Sequence, residues 1–183
     1  MSGPPRERVV KRIIHPWPGA GLAILMIVGC TGRVSTPGDG ANSPQALQGA
    51  WRSQIRFSNG AFAQMKDLQF MYVFNQGGTL TESSNYDAAP PVPPAYGVWR
   101  AAGPGQFEAK YIFYITAAPK AFDELKSGGG WNPMGFGVFD ERIRLSADGR
   151  TYTSSIEYSA FGPQGEVVEG GGRASGNGTR IAF

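Results

Sequence analysis

Alternation of apolar and polar residues runs through the chain from residue 49 onward and predicts β-strands. Trp51, Ile55 and Phe57 alternate with Arg52 and Arg56, a period of two that is typical of a half-buried strand. The same pattern recurs at short, regular intervals along the rest of the chain. It predicts nine strands, at 49–57, 66–74, 79–86, 96–101, 106–116, 137–146, 151–160, 166–175 and 179–183.

Turn signals separate these segments, among them Asn75-Gln76-Gly77-Gly78 and Ala147-Asp148-Gly149. Helical signals are confined to one capped turn at 43–47 and a short stretch at 120–126. A series of short strands is typical of an antiparallel sandwich or a barrel. Because successive hairpins need no long crossovers and closure removes exposed edges, we predict an all-β fold, an antiparallel up-and-down β-barrel of about 8–9 strands.

The N-terminal segment has the order of an export signal. Four basic residues come first, an apolar run at 20–28 follows, and the segment ends in Ile27-Val28-Gly29-Cys30. The run is too short to cross a bilayer as a permanent helix. The tetrad resembles the lipobox of bacterial lipoproteins, in which the signal is cut before the cysteine and the cysteine is acylated. The alternative is that Cys30 is simply a small buried hydrophobe.

This resemblance implies an exported protein that is attached through Cys30 to a bacterial membrane, on its periplasmic or cell-surface side. The corresponding organisation is a signal peptide at 1–29, a flexible tether at 30–43 and a β-barrel domain at 44–183. The tether is rich in Gly, Ser, Thr, Pro and Asn and has too little apolar surface to order itself.

Charge and composition exclude several classes of function. Lys and Arg total 17 and Asp and Glu total 14, but four of the basic residues and one acid precede Cys30, so the remainder is formally neutral. Because its basic residues are scattered singly, we predict no nucleic-acid partner. The only histidine is His15 and the only cysteine is Cys30. A domain without either residue type has no Ser-His-Asp triad, no His- or Cys-ligated zinc and no disulfide; we predict no cofactor, no metal site and no assigned catalytic residue.

The start of the first strand resembles a second family. Gly49-Ala50-Trp51 follows a short helical turn and is similar to the Gly-x-Trp signature of lipocalins and related calycin barrels. That resemblance implies that Trp51 closes one end of the barrel. It also implies that an arginine from a late strand, Arg173 or Arg180, packs over the indole, which is a favourable cation–π arrangement.

The inward face of the barrel is where function is expected, since about eight strands enclose room for packed side chains or one small ligand. Aromatic rings with a few hydroxyl groups suit a small apolar molecule with one or two polar groups. The alternative is a core filled by these side chains, with no cavity. The predicted ligand-binding residues are Phe70 and Tyr72 (or their neighbours one position away), Trp99, Tyr111, Phe113, Glu141, Tyr152 and Tyr158.

Glu141 shares its parity with core-facing residues, and a buried carboxylate is costly unless it is paired or protonated. It is therefore a candidate ligand-orienting group or general acid/base. Two alternatives are a bulge near Asp140 that turns it into water beside Arg142, and pairing with an interior arginine. Glu82 is a similar, weaker candidate.

Three functions remain open at this point. The first is binding of a small apolar molecule. The second is an enzyme resembling allene-oxide-cyclase barrels, with Glu141 beside a tyrosine hydroxyl. The third is an accessory protein with a filled barrel, which would meet a partner through an outer face or the proline-rich loop at 90–94. That loop is more simply a rigid connection across a barrel mouth, opposite a glycine-rich loop at 128–130.

Overall fold

The computed structural model describes residues 40–86, 94–117, 121 and 132–183, and these residues form eight strands. The strands are β1 (Gly49–Phe57), β2 (Gln69–Phe74), β3 (Thr79–Ser84), β4 (Ala95–Gly103), β5 (Gln106–Ala117), β6 (Asn132–Leu145), β7 (Thr151–Phe161) and β8 (Val167–Arg180). Across these residues, no helix is long and apolar enough to cross a bilayer.

The sheet closes on itself. Every strand pairs antiparallel with the next one in sequence, and β8 returns to pair with β1, for example Ile55 with Gly176. The predicted up-and-down antiparallel barrel is therefore confirmed. Several predicted segments lie outside the described residues: the signal, most of the tether, all but one residue of the helical stretch at 120–126, the glycine-rich loop and all but the last residue of the proline-rich loop.

The two last predicted strands are one continuous strand, β8. Local sequence at Asn177-Gly178 has the character of a turn. In the structure Asn177 pairs with Gln54 of β1 on one side and with Thr153 of β7 on the other. Pairing on both sides satisfies the backbone groups of this segment, so the ladder outweighs the local turn preference.

One end of the barrel is plugged by side chains and by the segment that precedes β1. Trp51 is fully buried, and its indole nitrogen donates to the carbonyl of Leu47 at 2.9 Å. The guanidinium of Arg180 lies 4.2 Å from the centre of the Trp51 ring. It also donates to the carbonyls of Ala46 (2.5 Å), Gln48 (2.6 Å) and Gly149 (2.9 Å).

Of the two arginines proposed for this role, the structure selects Arg180, whereas Arg173 is exposed on the outer face. The predicted capped turn is present as two hydrogen-bonded turns, with the Ser43 hydroxyl accepting from the Gln45 amide at 3.2 Å. Connections at this plugged end are short, at 75–78, 104–105 and 146–150, while the connections at 58–68 and 162–166 lie at the opposite, open end.

Candidate functional site: a cavity at the open end of the barrel

A cavity of about 480 Å³ lies at the open end. This volume is within the range of pockets that hold small molecules. Its walls are mainly apolar and aromatic side chains from β2, β4, β5, β6 and β7. They include Phe70, Ala95, Phe113, Phe139, Tyr158 and Ala160.

A glycine on β6 shapes the aromatic wall. A Cβ atom at Gly137 would lie 2.3 Å from the ring of Phe113 and 2.7 Å from that of Tyr158. Since no side chain is present there, Phe113 stacks on Phe139 with ring centres 5.4 Å apart and on Tyr158 at 6.0 Å. The three rings form a continuous surface facing the cavity.

The connection between β1 and β2 adds a further wall. Phe62 packs on Phe57 and on Tyr158, with ring centres 5.2 and 5.0 Å apart. The loop is held against β8, where the Ala61 amide donates to the Gly170 carbonyl at 3.0 Å. A Cβ at Gly172 would lie 2.4 Å from the Asn59 carbonyl oxygen, so the close approach requires glycine.

The predicted ligand-binding residues divide into two groups. Phe70, Phe113 and Tyr158 line the cavity. The other five, Tyr72, Trp99, Tyr111, Glu141 and Tyr152, are buried but do not line it. The open half of the barrel thus contains a cavity. The plugged half is filled by side chains, as expected under the alternative of a packed core.

The plugged half is filled mainly by ring contacts. Trp99 lies between Phe74 and Phe107, with ring centres 5.9 Å from each. Trp51 and Tyr152 are 5.1 Å apart. Between this layer and the cavity, Phe139 stacks on Tyr111 at 5.0 Å and contacts Phe70 at 5.6 Å. Phe70 and Phe139 therefore separate the buried polar groups below from the cavity above.

Three oxygen atoms form a triangle in the middle of the barrel. Glu141 points inward and is 1% exposed. The hydroxyls of Tyr72 and Tyr111 both donate to its Oε2, at 3.1 and 3.0 Å. The two phenol oxygens are themselves 3.0 Å apart.

Two opposing effects act on the pKa of Glu141. Burial raises this pKa because it disfavours the charged form, whereas the hydroxyls of Ser154, Tyr111 and Tyr72 lower it by interacting with the carboxylate. Burial is the larger effect, so the pKa of Glu141 lies above its ordinary value. Burial, followed by the charge of Glu141, also raises the pKa of Tyr72 and of Tyr111.

Both alternatives for Glu141 are wrong. The pairing of β5 with β6 is regular around Asp140, and its one register shift is at Ile115/Thr116. Asp140 faces outward and forms an ion pair with Lys110 at 2.7 Å. No arginine of the described residues pairs with Glu141. Its inward direction follows from uninterrupted alternation along β6.

Further buried polar atoms lie in the same part of the core. The Ser154 hydroxyl lies near Glu141 and the Ser53 hydroxyl near Tyr152, close enough to lower the pKa of each neighbour. Even so, Glu141 Oε1 and the hydroxyl oxygens of Ser53, Tyr152 and Ser154 form no hydrogen bond of good geometry with the described residues. Gly176 borders this group: a Cβ there would lie 2.4 Å from Ser154 Oγ and 3.2 Å from Ser53 Oγ. Burial also raises the pKa of Tyr152. Such groups are usually satisfied by an ordered water molecule where space permits.

Glu82 is the buried carboxyl that reaches the cavity. It is 5% exposed and lies on β3, opposite Tyr72 of β2 and Ala95 of β4. Alternation along β3 suggested Glu82 only as a weaker candidate than Glu141.

Several other residues of the cavity wall were not predicted from the sequence. Phe62 and Met65 lie in a loop, where no periodic pattern indicates which side chains face inward. Ala95 and Ala160 line the cavity with small side chains, which leave room that a larger residue would fill.

In the described part of the chain, no group of three or more His, Cys, Asp or Glu side chains is arranged to hold a metal ion. No protein-family model matches the chain, and no curated protein matches its sequence. Fold and site therefore define the class: an eight-stranded, closed, antiparallel barrel with one end plugged and a cavity at the other. This architecture is compatible with a lipocalin-like fold.

Proposed function

We propose that this protein binds a small apolar molecule in the cavity at the open end of its barrel. The observation that carries the proposal is a space of about 480 Å³ with largely apolar and aromatic walls. Burial of apolar ligand surface there would supply the driving force, at roughly 25 cal/mol per Å² before the costs of association. Glu82 and Ser84 on one wall provide polar groups that would orient the ligand.

Uptake of an environment-sensitive apolar dye by the purified full chain tests this proposal. Ala95→Leu and Ala160→Leu would fill the cavity from two different strands and should each weaken dye binding at least tenfold. Ala102→Leu, on the exposed face of β4, is the matched control and should bind like the unsubstituted protein. Circular dichroism would verify that each variant is folded. A folded, unsubstituted protein that takes up no apolar probe would overturn the proposal and favour the accessory role.

We also propose that the protein is exported and anchored to a bacterial membrane through acylated Cys30. Support comes from the order of basic residues, apolar run and Ile27-Val28-Gly29-Cys30. Two or more acyl chains are needed for lasting attachment, because one chain binds a membrane only marginally. Metabolic labelling with an alkyne fatty acid should mark the protein, and Cys30→Ala should abolish the label; a label that survives this substitution would contradict the proposal.

An enzymatic role is the second candidate, and the triangle of Tyr72, Tyr111 and Glu141 favours it. A carboxyl group whose pKa is raised by burial, beside two phenols, would serve as a proton donor for an isomerisation or cyclisation. The structure supports ligand binding more strongly than catalysis, because Glu141 does not line the cavity and Phe70 and Phe139 lie between Glu141 and the cavity. If turnover of an apolar substrate is detected, Glu141→Gln should abolish it; unchanged turnover would exclude this role.

A further inference from the structure

The outer surface of the barrel has an apolar side and a polar side. Six apolar side chains point outward from β2, β4 and β5, with exposed fractions of 44–67%. They are Met71, Val73, Tyr96, Val98, Ile112 and Tyr114, and this surface is called the apolar face below. By contrast, outward residues in the middle of β7, β8 and β1 are polar, among them Thr153, Ser155, Glu157, Ser175, Asn177 and Gln54.

Strand pairing makes the apolar face continuous. Thr81 of β3 pairs with Val73 on one side and with Tyr96 on the other. Tyr96 in turn pairs with Ile112 of β5, so a single row crosses four strands. The other three members lie two positions along the same strands from Val73, Tyr96 and Ile112. Single exposed apolar residues are ordinary, whereas a contiguous apolar surface marks a site of contact with a partner or a membrane.

The chain enters the barrel at the plugged end, beside the turn that joins β4 to β5. A Cβ atom at Gly105 in this turn would lie 3.8 Å from the carbonyl oxygen of Ala41. Ile112 is seven residues beyond Gly105, about 23 Å along a strand. Cys30 precedes Gly40 by ten residues, which span at most about 33–36 Å. An acyl chain on Cys30 can therefore lie in the same membrane that contacts the apolar face.

We propose that the apolar face lies against the surface of the membrane to which the protein is anchored. This inference rests on the proposed acylation of Cys30 and adds the orientation of the barrel on the bilayer. Tyr96 and Tyr114 suit this position, because a phenol ring is apolar and its hydroxyl bonds to head groups. Tyr114 also lines the cavity, so lipid at this face would adjoin the binding site for an apolar ligand. Since the anchor holds the face near the bilayer, a modest apolar contact is enough.

Burial of apolar surface, and not charge, drives this contact. The basic groups that flank the face on β4 and β5 are already paired: Arg100 with Glu108 at 2.7 Å and Lys110 with Asp140 at 2.7 Å. Neither is free to attract anionic lipids. The contact should therefore form equally on zwitterionic and anionic membranes and depend only weakly on salt.

A fluorophore that brightens in lipid tests the contact. Ile112→Cys places nitrobenzoxadiazole within the apolar face, and Ser175→Cys on β8 is the matched control on the polar side. The unsubstituted chain, treated in the same way, reports any reaction at Cys30. Each full chain is reconstituted in phosphatidylcholine vesicles. The label at position 112 should brighten at least about threefold and be quenched by doxyl lipids, whereas the label at position 175 should do neither.

Three results would overturn the inference. The first is an equal response of the labels at positions 112 and 175. The second is brightening at position 112 that occurs only when phosphatidylglycerol is added to the vesicles, because charge would then drive the contact. The third is a label at position 112 that is already bright without vesicles in a protein that sediments as a dimer, which would show that a second copy covers the face.

Flotation of the same vesicles separates this inference from the proposed anchor. A protein that floats with the vesicles while the label at position 112 stays in water keeps the anchor and loses only the inference. A protein that does not float lacks the anchor, which removes both proposals. Tyr96→Cys repeats the measurement at a second exposed position of the apolar face, so the test stands even if Ile112→Cys does not fold.

Discussion

Replacing Arg180 by methionine is the sharpest test of how the plugged end is held. The substitution removes the guanidinium while a long apolar stem remains over Trp51. Three hydrogen bonds to the carbonyls of Ala46, Gln48 and Gly149 are lost, together with the cation–π contact at 4.2 Å. These interactions join β8 to the segment before β1 and to the turn after β6.

The expected loss of stability follows from these contacts. Hydrogen bonds from a charged donor contribute roughly 1.5–3 kcal/mol when buried. Arg180 is partly exposed, so about 1 kcal/mol each is appropriate here. The cation–π contact adds about 0.5–1 kcal/mol. We expect Arg180→Met to lower the free energy of unfolding by about 3–4 kcal/mol, a large part of the stability of an ordinary domain.

Urea denaturation followed by circular dichroism measures this change, and Arg173→Met is the matched control. Arg173 lies on the same strand but is exposed on the outer face, so its substitution should cost less than about 0.5 kcal/mol. A double-mutant cycle with Trp51→Leu isolates the contact between guanidinium and indole. A loss below about 1 kcal/mol, or equal to that of Arg173→Met, would refute our account of the plug.

Two further predictions concern the core and the cavity. Burial raises the pKa of Glu141 above its ordinary value of 4.5, so the folded protein holds this proton at a pH where the unfolded chain has lost it. The free energy of unfolding should therefore fall as the pH rises from about 4.5 toward the folded-state pKa of Glu141. Within that window the fall is about 1.4 kcal/mol per pH unit. Glu141→Gln should remove this slope, and a wild-type stability that does not fall there would contradict the raised pKa of Glu141. Gly137→Ala should push Phe113 and Tyr158 apart, cost about 1–3 kcal/mol and weaken dye binding, as measured by denaturation and fluorescence titration. Gly103→Ala, where the nearest atom is 3.6 Å away, should do neither; equal effects would show that the close packing at Gly137 is unimportant.

Much of the fold can be predicted from alternation in the sequence. Period-two patterns placed strands close to their observed positions, and the resemblance to Gly-x-Trp proteins implied that Trp51 would lie at a closed end under an arginine. Alternation also assigned Glu141 to the inner face, where the structure has it. Side chains on a strand point alternately to its two faces, so face is encoded locally.

Other features depend on which segments pair. The turn character of Asn177-Gly178 is local, and only its pairing with both β1 and β7 makes β8 continuous. The choice of Arg180 over Arg173 has the same origin, because position along β8 relative to Trp51 is set by the register. Phe62 reaches the cavity because its loop is held by residues distant in sequence: Ala61 donates to Gly170 of β8, and Phe62 packs on Tyr158 of β7.

The sequence by itself determined which side chains face the interior; the tertiary structure decided how deep each one lies. Depth depends on the stagger between neighbouring strands, which no single strand encodes. Alternation along β2 predicts the same inward direction for Phe70 and Tyr72. In the structure Phe70 lines the cavity, whereas Tyr72 lies deeper and donates a hydrogen bond to Glu141. The same stagger brings Tyr111 and Glu141, which are 30 residues apart in sequence, within 3.0 Å and places Glu82 instead at the cavity wall.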